Sequence, residues 1–190
     1  MNNTNIVKQL LQTYYNSFIN KTYIEENNDT DILMEIFGIT PEQKRENRQY
    51  WGRELGMLWQ RIITNLSEMN CKNYEPALRI NCDEPCDLLI DKDAIDTKYR
   101  IGSGDSGTLK KFKNYAKLLS EQGYNPILLI LRNDNLLSAI QACRNSGWQI
   151  YTGQESFNYL QKKLNIDVEQ LLKNEKNNFL LSNNTLQKNT

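Results

Sequence analysis

Asp96-Thr97-Lys98 places a carboxylate and an ammonium two residues apart in the stretch Ile95 to Tyr99. Side chains two apart on a strand share a face, so a strand here fixes the two groups next to each other. Taking Asp91 and Lys92 as a two-residue turn before that strand sets Asp87 directly opposite Asp96. Two aspartates are hard oxygen ligands of the kind that suit Mg²⁺, an ion that keeps several waters and draws further ligands from a substrate phosphate. A lysine beside them can orient or help deprotonate an attacking water and offset charge growing on the reacting phosphate. Glu54, upstream on a helical stretch, is a candidate further carboxylate.

The spacing alone is a weak signal, because Glu42-Gln43-Lys44 matches it too, and alternating charges also suit a solvated edge strand. Composition narrows the chemistry further. The chain has no histidine, which excludes Ser-His-Asp hydrolysis and histidine-based metal or general-base mechanisms. Lys plus Arg and Asp plus Glu both number 23, so attraction to nucleic acid must come from a local basic patch. No apolar run approaches the roughly 20 residues of a membrane span, and a cytoplasmic protein is expected. The four cysteines, Cys71, Cys82, Cys86 and Cys143, are expected as free thiols rather than as disulfides or a zinc site, since no CxxC pair is present.

The elements that must position these residues can be read from periodicity. At 190 residues the chain suits a single domain. Within it, residues 1–48 read as an N-terminal helix and outer arm, 49–151 as the core, 152–176 as peripheral helices and 177–190 as a flexible tail. From Gln49, Trp51, Leu55, Leu58, Ile62, Leu66 and Met69 recur at helical spacing and predict a long helix, with Glu54 next to its buried stripe. Ala77 to Asn81, Cys86 to Ile90 and Ala94 to Arg100 predict a three-stranded meander. Thr108 is the predicted cap of a helix whose outer face carries Lys110, Lys113 and Lys117. Pro126 to Leu131, a helix from Asp134 to Asn145 and a strand at Trp148 to Tyr151 predict a βαβ crossover, and Gln154 to Leu164 and Val168 to Glu175 two further helices. The fold class is therefore α/β, a mixed sheet flanked by helices.

Gly102-Ser103-Gly104-Asp105-Ser106-Gly107 matches the GxGxxG spacing of dinucleotide-binding turns. The strand before it alternates Asp96, Lys98 and Arg100, whereas the first strand of a dinucleotide fold is buried on both faces. The glycines can instead bring backbone close to a DNA phosphate.

Pro85-Cys86-Asp87 followed by Asp96-Thr97-Lys98 resembles the PD-(D/E)XK nuclease signature, with its proline displaced by one position. The stretch from Asp96 to Phe112, with Tyr50-Trp51-Gly52-Arg53-Glu54-Leu55-Gly56 upstream, is similar to type II restriction endonucleases, their ApaLI-like branch included. That resemblance implies an αβββαβ core, Mg²⁺-dependent cleavage of double-stranded DNA and a homodimer. It assigns metal binding to Asp87 and Asp96, water activation to Lys98 and the helix carboxylate to Glu54. Arg100, Ser103, Lys110, Lys111 and Lys113 are the expected DNA contacts. A junction resolvase or repair nuclease would share this site, and a nucleotide-binding or catalytically silent DNA-binding module would carry Asp96 and Lys98 as a mere surface ion pair.

Overall fold

A computed structural model describes residues 8–9, 11–16, 25–80 and 83–181. Cys82, much of the expected N-terminal helix and most of the expected tail lie outside them. In chain order the elements are α1 (Ile32–Phe37), α2 (Pro41–Glu46), α3 (Arg48–Asn70), β1 (Tyr74–Pro76), β2 (Leu88–Ile90) and β3 (Asp93–Lys98), then α4 (Ser106–Glu121), β4 (Asn125–Ile130), α5 (Leu137–Asn145), β5 (Gln149–Thr152), α6 (Gln154–Leu164) and α7 (Val168–Asn174). The strands form one five-stranded sheet in the order β1-β2-β3-β4-β5. β1, β2 and β3 run antiparallel as a meander, and β3, β4 and β5 run parallel through the crossover helices α4 and α5. This is the expected mixed α/β sheet with an αβββαβ core.

Alternation along the strands divides the core into two. Leu88, Ile90, Ile95, Ile127 and Leu129 face α1, α3, α6 and α7, whereas Leu89, Ala94, Leu128, Ile130 and Ile150 face α4 and α5. β4 is apolar on both sides because helices cover both sides of it. Trp59 anchors the first half: it is fully buried, donates Nε1–H to the Leu129 carbonyl at 3.3 Å and meets Phe157 edge-on at 5.6 Å between ring centres. Truncating such a side chain costs about 3–5 kcal/mol.

Three expectations are corrected. The first strand of the meander is Tyr74–Pro76; among Ala77 to Ile80 only an isolated bridge from Ile80 to Asp83 forms. The stretch 32–46 is no outer arm, since Leu33, Met34, Ile36 and Ile39 are buried in the main core. Its two short helices are punctuated by the chain itself: Asp31 accepts from the Leu33 and Met34 amides, Gly38 ends α1 at φ 66°, and Thr40 and Gln43 form a capping box around Pro41. Finally, α3 buries Leu55, Trp59, Ile63 and Ser67, while Met69 is 79% exposed. Its inward face is rotated from the stripe read in the sequence, and that rotation decides which of its polar residues reaches the sheet.

Candidate active site

β3 carries the site on both of its faces. Ala94, Asp96 and Lys98 alternate toward α4, and Ile95, Thr97 and Tyr99 toward α3. The Asp96 and Lys98 side chains meet as the strand pleat requires, with Nζ 2.5 Å from Oδ2. Lys98 also donates to the Thr97 carbonyl at 3.1 Å and stands 5.9 Å from the centre of the Phe112 ring on α4.

The β2–β3 hairpin has the expected register: Leu88 pairs with Ile95, Leu89 with Ala94 and Ile90 with Asp93, leaving Asp91 and Lys92 as the two-residue turn. Asp91 takes the left-handed conformation, φ 56°, that glycine otherwise supplies in such turns. At the far end the ladder departs from the simple pattern. Cys86 packs with Leu89 on the α4 side rather than with Leu88, and the Asp87 amide donates to the Ile95 carbonyl at 2.8 Å. The Asp87 side chain consequently lies toward α3 instead of meeting Asp96 across the hairpin. Its Oδ2 accepts from the Thr97 amide at 2.7 Å and the Thr97 hydroxyl at 2.6 Å, and its Oδ1 from Gln60 Nε2 at 2.8 Å.

Asp87 and Asp96 remain close enough to interact. Burial is the main cause that pushes the Asp96 carboxyl up to about 6; the Asp87 charge adds to the rise, and Lys98, then Lys111, oppose it. An anionic pair with one adjacent ammonium and restricted access to water is a place where a cation is favoured. Two aspartates are hard oxygen donors of the kind a divalent ion takes when water and substrate complete its shell, and among the described residues no group of three or more acidic, cysteine or histidine side chains is gathered to hold a metal ion. Burial holds the Cys86 and Cys143 thiols at about 11, so neither is an activated nucleophile.

Other expected site residues lie elsewhere. The Glu54 side chain, on α3, is 41% exposed and paired with its neighbour Arg53 at 2.9 Å. Gln60, which sequence reasoning missed, is the α3 residue that touches the site. The only available signal was its place on the Leu55-Trp59-Ile63 side of the helix, readable once Trp59 rather than Leu58 is taken as buried.

The side chain of Arg100 is largely covered and bonded to Asp134, through the carboxylate at 3.1 Å and the carbonyl at 2.9 Å. A Cβ at Gly102 would come within 2.3 Å of the Arg100 guanidinium, so a larger residue there would push that group from its place. Asp105, not Thr108, caps α4, accepting from the Thr108 amide at 2.9 Å. Ser103 is half-buried in the loop between β3 and α4, and Lys110, Lys111 and Lys113 are exposed on α4.

A second charged cluster lies beyond the carboxyl ends of β3 and β4. Arg132, 4% exposed, contacts Asp134 at 2.8 Å, Asp31 at 3.1 Å and Glu26 at 3.5 Å; Glu26 also pairs with the buried Lys44, and the Tyr99 hydroxyl donates to Asp31. Although burial alone would raise the Asp134 carboxyl, hydrogen bonds from Arg132 and the Asn27 amide hold it below its ordinary range.

A family model described as ApaLI-like restriction endonuclease matches residues 65–177, a span that includes Asp87, Asp96 and Lys98 and begins after Glu54 and Gln60. No curated protein and no solved structure matches the chain.

Proposed function

Because this chain belongs to the ApaLI-like restriction endonuclease family, we propose that it is a type II enzyme that hydrolyses phosphodiester bonds in double-stranded DNA at a specific sequence, using Mg²⁺ at Asp87 and Asp96. The observation that carries this reading is the meeting of Asp96 and Lys98 at 2.5 Å beside the Asp87 charge. Bound there, the ion supplies Lewis-acid polarisation of the scissile phosphate. Lys98, held by Asp96 and the Thr97 carbonyl, is the group placed to orient the attacking water and to offset charge gained in the transition state. Thr97 and Gln60 hold the Asp87 carboxylate in a fixed orientation. Lys110, Lys111 and Lys113, on the exposed side of α4 next to the site, are placed for DNA phosphates; Arg100 is committed to Asp134.

One such cluster cleaves one strand, and the described residues contain one. Two antiparallel strands related by a dyad are matched by two protomers related by the same dyad, so the active species is a homodimer on a palindromic site. No helix among the described residues is long and apolar enough to cross a membrane. Digestion of a plasmid of known sequence with Mg²⁺, with the ends mapped, tests the reading: ends at one sequence support it, and an uncut plasmid across divalent ions contradicts it. Light scattering of the protein on a Ca²⁺–DNA complex tests the dimer, which one protomer per duplex with both strands cut in a single encounter would refute.

A further inference from the structure

We infer that Gln60, not Glu54, is the residue through which α3 serves the site, as a positioning residue that fixes which oxygen of Asp87 is open to a divalent cation. The inference rests on the proposed metal-dependent nuclease reading. The Asp87 carboxylate offers about four lone-pair sites, two on each oxygen. Thr97 fills both on Oδ2, through its amide at 2.7 Å and its hydroxyl at 2.6 Å. Gln60 takes one on Oδ1 at 2.8 Å. A single direction on Oδ1 is left for a cation, and Gln60 sets the angle at which it points.

Gln60 is held for this task. It lies one turn after Gly56, where α3 passes close to β3: a Cβ at Gly56 would stand 3.5 Å from the Tyr99 Cβ. Residues four apart share a helix face, so Gln60 is presented to the same sheet. Its amide must turn Nε2 to Asp87, because the alternative would set the Gln60 carbonyl oxygen against a carboxylate. Glu54 falls about 120° away from Gln60 around the helix, at 100° per residue, and its carboxylate is paired with Arg53. A neutral amide at this place also has a consequence: it steadies Asp87 without adding a third negative charge beside Asp96, where burial already opposes ionisation.

The test is Mn²⁺ binding by the full chain at one fixed pH, followed by the electron paramagnetic resonance signal of free Mn²⁺, for the wild type, Gln60→Ala, Gln60→Met, Glu54→Ala and Asp96→Asn. Gln60→Met keeps the side-chain length and stands in if the alanine variant does not fold. Loss of an outer-shell partner costs 10–100-fold in metal affinity, so both Gln60 variants should bind Mn²⁺ at least tenfold more weakly, while Glu54→Ala binds like the wild type and Asp96→Asn scarcely binds. Wild-type affinity in the Gln60 variants, with loss in Asp96→Asn, would overturn the role of Gln60 and leave the metal site standing. Wild-type affinity in Asp96→Asn would overturn the metal site itself, and the role of Gln60 with it.

Discussion

Two half-buried aspartates, Asp134 beyond the end of β4 and Asp96 on β3, are treated in opposite ways. Asp134 belongs to a cluster in which three carboxylates (Glu26, Asp31, Asp134) meet four cations (Lys44, Arg48, Arg100, Arg132), and its carboxyl is held below the ordinary range although burial alone would raise it. Asp96 pairs with Lys98 beside the Asp87 charge, and burial drives its carboxyl up to about 6. This fully paired cluster ties the segment 26–31 and α2 to the ends of β3 and β4; it is structural. The cluster on β3 has one ion-paired lysine for its two aspartates and leaves Lys98 about a third exposed, the condition that the proposed cation site requires.

Removing a charge should therefore have opposite results in the two clusters. Arg132→Ala leaves Asp31 and Asp134 buried without their principal partner, an effect of about 3–5 kcal/mol that calorimetric melting should register as a large fall in Tm. Stability hardly altered in that variant would break the comparison. Lys98→Ala should keep the fold and slow cleavage on the order of 10²–10³-fold, the usual cost of one lost transition-state donor, as single-turnover kinetics on a cut duplex would show.

Asp96→Asn sharpens the contrast. The folded pKa of Asp96 is raised from 3.8 to about 6, so the folded state holds the proton more tightly than the unfolded chain does. Ionised Asp96 thus costs stability; the cost is fully present above about pH 6 and disappears as pH falls toward 4. At about 1.4 kcal/mol per pKa unit, Asp96→Asn should stabilise the protein by up to roughly 3 kcal/mol at pH 8 and by little near pH 4. Asp134, with its lowered carboxyl, has the reverse sign: its contribution is present above the unfolded pKa and is lost in acid. Melting curves of Asp96→Asn and wild type at the two pH values decide this, and a gain that grows toward acid would contradict the assignment. The smallest effect is at the surface, where Lys113→Ala should lower the salt slope of DNA binding by about one without changing sequence preference, measured by titration at several salt concentrations.

Much of this arrangement was legible in the sequence, and the misses have physical causes. The pairing of Asp96 with Lys98 follows from the two-residue period of a strand, and the hairpin register from its turn at Asp91 and Lys92. The βαβ units follow from the apolar run of β4 between helical patterns. The Asp87 side chain was misplaced because one irregular backbone step between Cys86 and Leu88 turns it to the other face, and nothing in residue types marks that step. Gln60 was missed because Leu58, Ile62 and Leu66 form as regular a stripe as Leu55, Trp59 and Ile63, and only packing decides between two stripes so close on one helix. Arg100 looked free because its partner Asp134 is 34 residues away. The two helices of 32–46 were, by contrast, signalled by Thr40-Pro41-Glu42-Gln43 and Gly38, a capping box and a helix stop in a stretch whose charge suggested an irregular outer layer.

The measurement that bears most directly on the whole account is cleavage of plasmid DNA at pH 8 with Mg²⁺ by the wild-type protein and by Asp96→Asn, each shown to be folded. The wild type should give defined ends at one sequence, and Asp96→Asn, though the more stable protein, should cut on the order of 10³-fold more slowly or not at all. Comparable cutting by Asp96→Asn would contradict the claim that the cluster on β3 is the place where DNA is cleaved.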